Sequence, residues 1–331
     1  MPGLLQHAGQ HRSHIACSYQ YYFHHFKVKQ FRVLFLCAKL QRDMATQRGM
    51  TAAQKLVVEY YKAKLNLMHV LNARWAAASA IDLFQKPYAR PRRKDPPIWK
   101  EAKRLRLNSG EHQLAGYHWL PKEPNGQKLL IVHGFAGSCK SFEKYIYPSL
   151  KKGYEVLAYD APGHGKSNGS RLNLIIYKWV LEDIIRHHQG FDAYLAHSLG
   201  GMSLMLALDA LGHKQQNKIA LVAPLVEVRS ATQNFSRFLQ LPANLQALFV
   251  EELEKRAGHK MDWFSLPRLL REHQGQVLWV HDRLDDTTPF DDVEPAIPHL
   301  PGHVELMVTE GLGHSRIYRD NKVRKRILEC W

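Results

Sequence analysis

Ser198 stands in "YLAHSLGGM" (194–202), between a short apolar run and a cluster of small residues. A serine hydroxyl is nearly inert at neutral pH and attacks a carbonyl only when an adjacent base takes its proton. The spacing fits a sharp turn from strand to helix that exposes the hydroxyl and leaves the next backbone N–H free to bind an oxyanion. Ala196 occupies the place of the first glycine in the G-x-S-x-G form of that turn, which keeps the side chain small. An ordinary serine in a glycine-containing turn looks the same over five residues, so other stretches must discriminate. Four carry suitable side chains: "HGFAGS" (133–138), "DAPGHGKS" (160–167), "HDRLDDTTP" (281–289) and "EGLGHSR" (310–316). "GHGKS" is not part of a phosphate loop, because G-x-x-x-x-G-K-[ST] requires a glycine where Asp160 stands.

Each stretch follows an apolar run. Continuous runs at 128–134, 154–160, 218–224, 276–282 and 303–308 predict buried strands, as does "FDAYLA" before Ser198. "HQLAGYHWL" (112–120) alternates like an exposed antiparallel strand. Helical spacing over 141–152, 173–188, 199–212 and 316–329 separates or follows them. The alternation predicts an α/β fold with a mainly parallel twisted sheet and helices on both faces. Reactive groups in such a sheet gather at the carboxyl ends of the strands, where all five stretches fall. Residues 225–270 interrupt the alternation with helical pattern alone and read as a cap over that edge. The domain reading is an extension over 1–49, a helical segment (52–84) with a basic linker inside 50–109, core over 110–224 and 271–331, and the cap between.

Ser, then Asp, then His in chain order, each at a strand end, resembles the α/β-hydrolase superfamily. The likeness is strongest to its bacterial serine esterase and lysophospholipase-like members with a short helical cap, over about residues 110–331. It implies Ser198 as nucleophile, His314 as base and Asp285 as orienting acid. Asp285 lies four residues after His281 and four before Pro289, as in the family; its neighbour Asp286 is the alternative acid. The family's usual glycine after the strand-seven histidine is Asp282 here. The backbone N–H groups of Phe135 and Leu199 are the implied oxyanion donors. The implied chemistry is carboxylic ester hydrolysis through an acyl-enzyme, without a cofactor or metal. A thioesterase, peptidase or C–C hydrolase would use the same triad, and fold alone does not separate them. A non-catalytic ligand-binding protein of the same fold is the remaining alternative, and it would be expected to have lost a triad member. Apolar residues of the cap, Phe238 and Leu241 among them, are expected to line an acyl pocket.

Composition narrows the setting. The chain has 331 residues, 45% hydrophobic and 23% charged, which is ordinary for a globular protein. No apolar run approaches the roughly 20 residues of a bilayer span. Cys17, Cys37, Cys139 and Cys330 lie far apart without C-x-x-C spacing, so neither a disulfide framework nor a zinc site is expected, and a reducing cytoplasm is. The histidines at 7, 11, 14, 24 and 25 lack the spacing of a metal site. The net charge of +16 is uneven: residues 1–128 hold 22 Lys and Arg against 7 Asp and Glu. That excess, dense in "ARPRRK" (89–94) and "KRLR" (103–106), reads first as a solvated basic surface, with weak contact to an anionic surface as the alternative. No nucleic-acid-binding signature accompanies it, and the oligomeric state is left open.

Overall fold

The computed structural model describes residues 52–87, 94–212 and 217–331. The expected extension over 1–49 and most of the basic run before Lys94 lie outside the described residues. The chain opens on helices α1 (Ala52–Leu71) and α2 (Ala73–Phe84). The sequence pattern predicts one helix over 52–84; it breaks at Asn72. The Asn72 side chain accepts from the backbone N–H of Arg74 and Trp75, an N-cap that restarts the helix in a new direction.

The core is an eight-stranded sheet in the order β1-β2-β4-β3-β5-β6-β7-β8. Its strands are β1 (Lys103–Ser109), β2 (His112–Trp119), β3 (Lys128–Val132), β4 (Glu155–Tyr159), β5 (Ala193–His197), β6 (Lys218–Val222), β7 (Gln276–Asp282) and β8 (Val304–Thr309). β1 and β2 pair antiparallel, β2 joins β4 antiparallel, and every later pairing is parallel. α3 (Glu143–Lys151), α4 (Leu174–His187) and α5 (Leu199–Ala210) make the crossovers between β3 and β6. Within β3, Leu130 and Val132 enter one hydrophobic core while Leu129 and Ile131 enter another, so the sheet is covered on both faces. This is the α/β-hydrolase fold.

Residues 103–109, expected in a basic linker, are instead the edge strand β1. Leu105 and Leu107 pack against the core, Arg104 and Arg106 alternate with them on the other face, and Lys103 is exposed at the start of the strand. Cations on an edge strand discourage pairing with other chains, so the same residues read as a charged tract and function as a strand.

Residues after β6 leave the sheet as α6 (Val228–Phe238) and α7 (Ala243–Ala257), then return through α8 (Leu266–Glu272) to β7. The cap is not this segment alone. α1 and α2 pack on α6 and α7 around a third apolar core that includes Val58, Leu65, Ile81, Leu245 and Phe249. Phe84, Phe235 and Phe249 meet there, with ring centroids 5.0 to 5.7 Å apart. The C-terminal end of α2 is tied to the core, where the Gln85 carbonyl accepts from Leu172 N–H and Arg171 pairs with Asp82. The chain closes with the short α9 (Gly313–Arg316) and α10 (Asn321–Leu328); the expected single helix over 316–329 is interrupted at Asp320, which caps α10.

Candidate active site

Ser198 follows β5 with φ +56 and ψ −128, a region that a non-glycine residue occupies only when its surroundings hold it there. The turn needs small neighbours. A Cβ on Gly200 would lie 2.4 Å from the His133 carbonyl oxygen, and one on Gly134 would lie 2.8 Å from Ser198 Cβ. Ala196, the residue standing for glycine, is fully buried within β5, where its methyl group fits the core.

His314 opens α9 after β8. Its Nδ1 is 2.8 Å from Asp285 Oδ2 and its Nε2 is 2.9 Å from Ser198 Oγ. With the Nδ1–H donating to the carboxylate, the Nε2 lone pair faces the serine hydroxyl. Asp285 is buried and receives more than His314. Its Oδ1 accepts from the backbone N–H of Thr287 and Thr288, both at 2.9 Å, and its Oδ2 from the Thr288 hydroxyl at 3.0 Å. Burial pushes this carboxyl upward, but the hydrogen bond and charge of His314 and the Thr288 N–H outweigh it. The carboxyl is held below its ordinary value and stays ionised. Asp286 is exposed and accepts from the Thr287 hydroxyl, away from His314.

Three buried histidines brace this chain of bonds. The Trp279 indole N–H donates to His281 Nδ1 (3.1 Å), which leaves the His281 proton on Nε2 to donate to the Thr288 carbonyl (2.8 Å). His197 donates from Nε2 to the His314 carbonyl (3.1 Å), and burial followed by the neighbouring His314 charge pushes it down to about 3. His133 accepts from Ala161 N–H at Nε2 and donates from Nδ1 to the Gly134 carbonyl. All three are accounted for as neutral hydrogen-bonding groups.

The turn at 133–137 is pinned again at Ala136, which sits at φ +57 and donates its N–H to His164 Nε2 (3.0 Å). His164 in turn donates from Nδ1 to the Pro162 carbonyl. Between these anchors, the N–H of Phe135 has no protein acceptor among the described residues. Leu199 N–H, the first of α5, lacks an intrahelical acceptor by its position. Neither of the two expected oxyanion donors thus has a described protein acceptor.

Asp282 is the residue that motif reading did not credit. It is fully buried at the end of β7. Its Oδ1 accepts from Leu284 N–H (3.0 Å), beside Asp285, and its Oδ2 from the Thr309 hydroxyl (2.7 Å) and Leu312 N–H (2.9 Å), beside His314. Burial pushes the carboxyl upward, and these donors with Gly313 N–H outweigh it and lower it. One ionised carboxylate thus ties the Asp285 loop to the His314 loop. The signal was present as an acid where the family has glycine, at a strand end certain to be buried.

The cap residues go elsewhere. Leu241 is buried in the helical third core and Phe238 packs against the same cluster. Packing accounts for both, and neither makes a described contact with Ser198. Leu225, at the root of the cap, does reach the elbow, donating its N–H to the Ser198 carbonyl at 3.1 Å. Among the described residues no group of three His, Cys, Asp or Glu side chains is placed to hold a metal ion.

The chain has the α/β-hydrolase fold, and the arrangement of Ser198, His314 and Asp285 resembles the site of a serine hydrolase. Residues 123–284 match the family model described as serine aminopeptidase, S33. The chain is 39% identical over 90 residues to the magnesium-chelatase 30 kDa subunit of Rhodobacter capsulatus, covering 26% of this chain and 31% of that protein. It is 25% identical over 232 residues to the uncharacterized protein YqkD of Bacillus subtilis, covering 66% of this chain and 75% of that one. A Pyrococcus furiosus esterase superposes with a TM-score of 0.54 at 18% identity, over 73% of this chain and 95% of that structure, and shares the fold. The chain thus spans about a third of the first relative and most of the second. No helix among the described residues is long and apolar enough to cross a membrane.

Proposed function

We propose that the protein hydrolyses carboxylic esters through an acyl-enzyme. The observation that carries this reading is the unbroken path from Asp285 through His314 to a serine held at a strained elbow. His314 takes the Ser198 proton as Oγ attacks the ester carbonyl, and the negative charge passes to the carbonyl oxygen. Phe135 and Leu199 N–H groups receive that oxygen. The tetrahedral species collapses as His314 returns the proton to the departing alcohol, leaving Ser198 acylated. Water, deprotonated by His314, repeats the sequence and releases the acid. Asp285 remains ionised throughout and stabilises the imidazolium. The acyl chain is accommodated beneath the cap, whose root is bonded to the elbow at Leu225. Buried, unpaired Cys139 fits a reducing setting such as the cytoplasm.

A library of esters of graded acyl length, assayed on wild type and Ser198→Ala, tests the reading directly. We expect hydrolysis by the wild type, a loss of about 10⁴-fold or more in kcat for Ser198→Ala, and fluorophosphonate labelling that the substitution abolishes. Labelling that persists in the mutant would move the nucleophile to another residue. Labelling without turnover of any ester, alongside turnover of thioesters or peptides, would reassign the substrate.

A further inference from the structure

Helix α1 is apolar on two sides, and only one of them is used. Val57, Val58 and Leu65 point into the cap core with Tyr61 and Met68. On the opposite side Leu56, Tyr60, Leu67, Val70 and Leu71 are exposed, by 50 to 82%, and Trp75 at the start of α2 extends the row at 67%. At 3.6 residues per turn, positions 56, 60, 63, 67, 70 and 71 fall within an arc of about 100°. Twelve large apolar side chains are exposed among the described residues, and six of them lie in these twenty positions. Scattered exposed apolar residues need no explanation, whereas a continuous stripe on one helix face marks a surface made to be covered.

Charge indicates what covers it. Lys55, Lys64 and Arg74 border the stripe, are exposed and form no ion pair among the described residues. The one acid between Ala52 and Trp75 is Glu59, already paired with Lys62 at 2.9 Å. A second copy laid against this face would set unpaired cations against unpaired cations. An anionic surface would not. An apolar stripe, aromatic residues with a polar tip and flanking cations are together the chemistry of a helix that lies in a bilayer interface.

We propose that the α1–α2 hairpin docks the protein on an anionic lipid surface. The six apolar side chains enter the boundary between headgroups and acyl chains, and Lys55, Lys64 and Arg74 meet lipid phosphates. The hairpin's other face is the core of the cap, and its end at Gln85 is bonded to the 160–172 loop that orders the oxyanion turn. Docking therefore brings the cap to the place where a long-chain ester would be found. That consequence rests on the ester-hydrolase reading, but docking itself does not, because vesicle binding needs no activity.

The test is flotation of the full chain with vesicles of phosphatidylcholine alone and of phosphatidylcholine with phosphatidylglycerol. The wild type should float with the anionic vesicles, release as salt rises, and bind pure phosphatidylcholine weakly. Leu67→Ser with Val70→Ser should weaken binding by roughly tenfold or more. Both positions are exposed, so fluorophosphonate labelling of Ser198 in lipid-free solution should be unchanged. Lys55→Glu with Lys64→Glu should remove the preference for anionic lipid. Equal binding by wild type and the serine variant would overturn the proposal, as would no binding at all. A wild-type dimer that the serine variant converts to monomer, without vesicle binding, would assign the stripe to a second copy. Binding that survives both pairs of substitutions but is lost on deleting residues 1–51 would assign docking to that segment.

Discussion

The loops that carry Asp285 and His314 and the helical cap each have buried anchors, but the two are held by different physics. In the loops nearly every anchor is directional: Asp282 and Asp285 between them accept from seven donors described above besides His314, His281 and His133 each bond two partners, and His197 bonds the His314 carbonyl. In the cap, Phe84, Phe235, Phe249, Leu241 and Leu245 hold four helices together chiefly by apolar contact. Directional bonds in a low-dielectric interior fix one geometry and leave an unsatisfied buried group when one partner is removed. Apolar contacts fix proximity and tolerate substitutions that keep the volume. The loops should therefore lose function before stability, and the cap stability before function.

The comparison breaks most visibly at the acid. Asp285→Asn should keep the fold and lower kcat by about 10⁴, because the amide turns the His314 ring to the wrong tautomer. Asp286→Asn should change kcat by no more than a few-fold. A reversal of those two results would mean that the hydrogen bond between Asp285 and His314 is not the one used in turnover.

The cap should show the opposite balance. Phe249→Ala opens a cavity beside the Phe84 and Phe235 rings and is expected to lower stability by about 3–5 kcal/mol. The rate of fluorophosphonate labelling, measured well below the melting transition, should stay within about twofold of wild type. Phe238→Ala and Leu241→Ala extend the test to substrate choice. A pocket role moves the preferred acyl length in steps of about 1–3 kcal/mol per methylene. A packing role lowers the melting temperature and leaves the length profile unmoved.

Asp282 sharpens the contrast from inside the loops. It touches no reacting atom and is a positioning residue. Asp282→Asn places an NH₂ against donors that need an acceptor, so the two loops lose register. We expect kcat to fall by roughly 10- to 100-fold with KM for a small ester nearly constant. The low-field proton resonance of the His314 Nδ1–H should shift or broaden, and Thr309→Val should reproduce a smaller version of both changes while Thr309→Ser restores them. A lower melting temperature with kcat and the resonance intact would reduce Asp282 to a stabilising contact.

The smallest expected effect is the dependence of stability on pH. His197 is pushed down to about 3, and His188 and His273 to about 4, in each case chiefly by burial. An unfolded histidine titrates near 6.5, so above that pH all three are neutral in both states and their contribution is full. Between about 6.5 and 4 the unfolded chain takes up protons that the folded chain refuses, and stability falls as pH falls. Asp282 and Asp285, lowered in the fold, extend the loss below about pH 4. Melting temperatures taken from pH 7.5 to 4.5 should decline steadily, and His273→Gln should flatten the decline. A flat profile would show that these imidazoles are not buried as described.

Much of the site was legible because each core strand is a continuous apolar run and the residue following it is placed by the strand itself. Ser198, Asp285 and His314 could be located that way without any knowledge of their contacts. β1 was not legible in the same way, since an edge strand with one apolar face and three cations has the composition of a linker. The cap's composition from two distant segments was also hidden. Periodicity identifies an apolar face but not its partner, and α1 carries two such faces.

By itself, the sequence determined the order of strands and helices, the small residues an elbow requires, and which side chains stand at the carboxyl edge of the sheet. These are local properties, set by side-chain spacing and by backbone angles that only small or tolerant residues adopt. Tertiary structure alone decided that Asp282 joins two loops, that Phe238 and Leu241 enter a core shared with α1 and α2, and that one stripe of α1 is left uncovered. Those outcomes depend on which surfaces meet, across 27 and 30 residues of chain for Asp282 and across far longer separations for the cap, and burial or its absence, not spacing, decides what each side chain does.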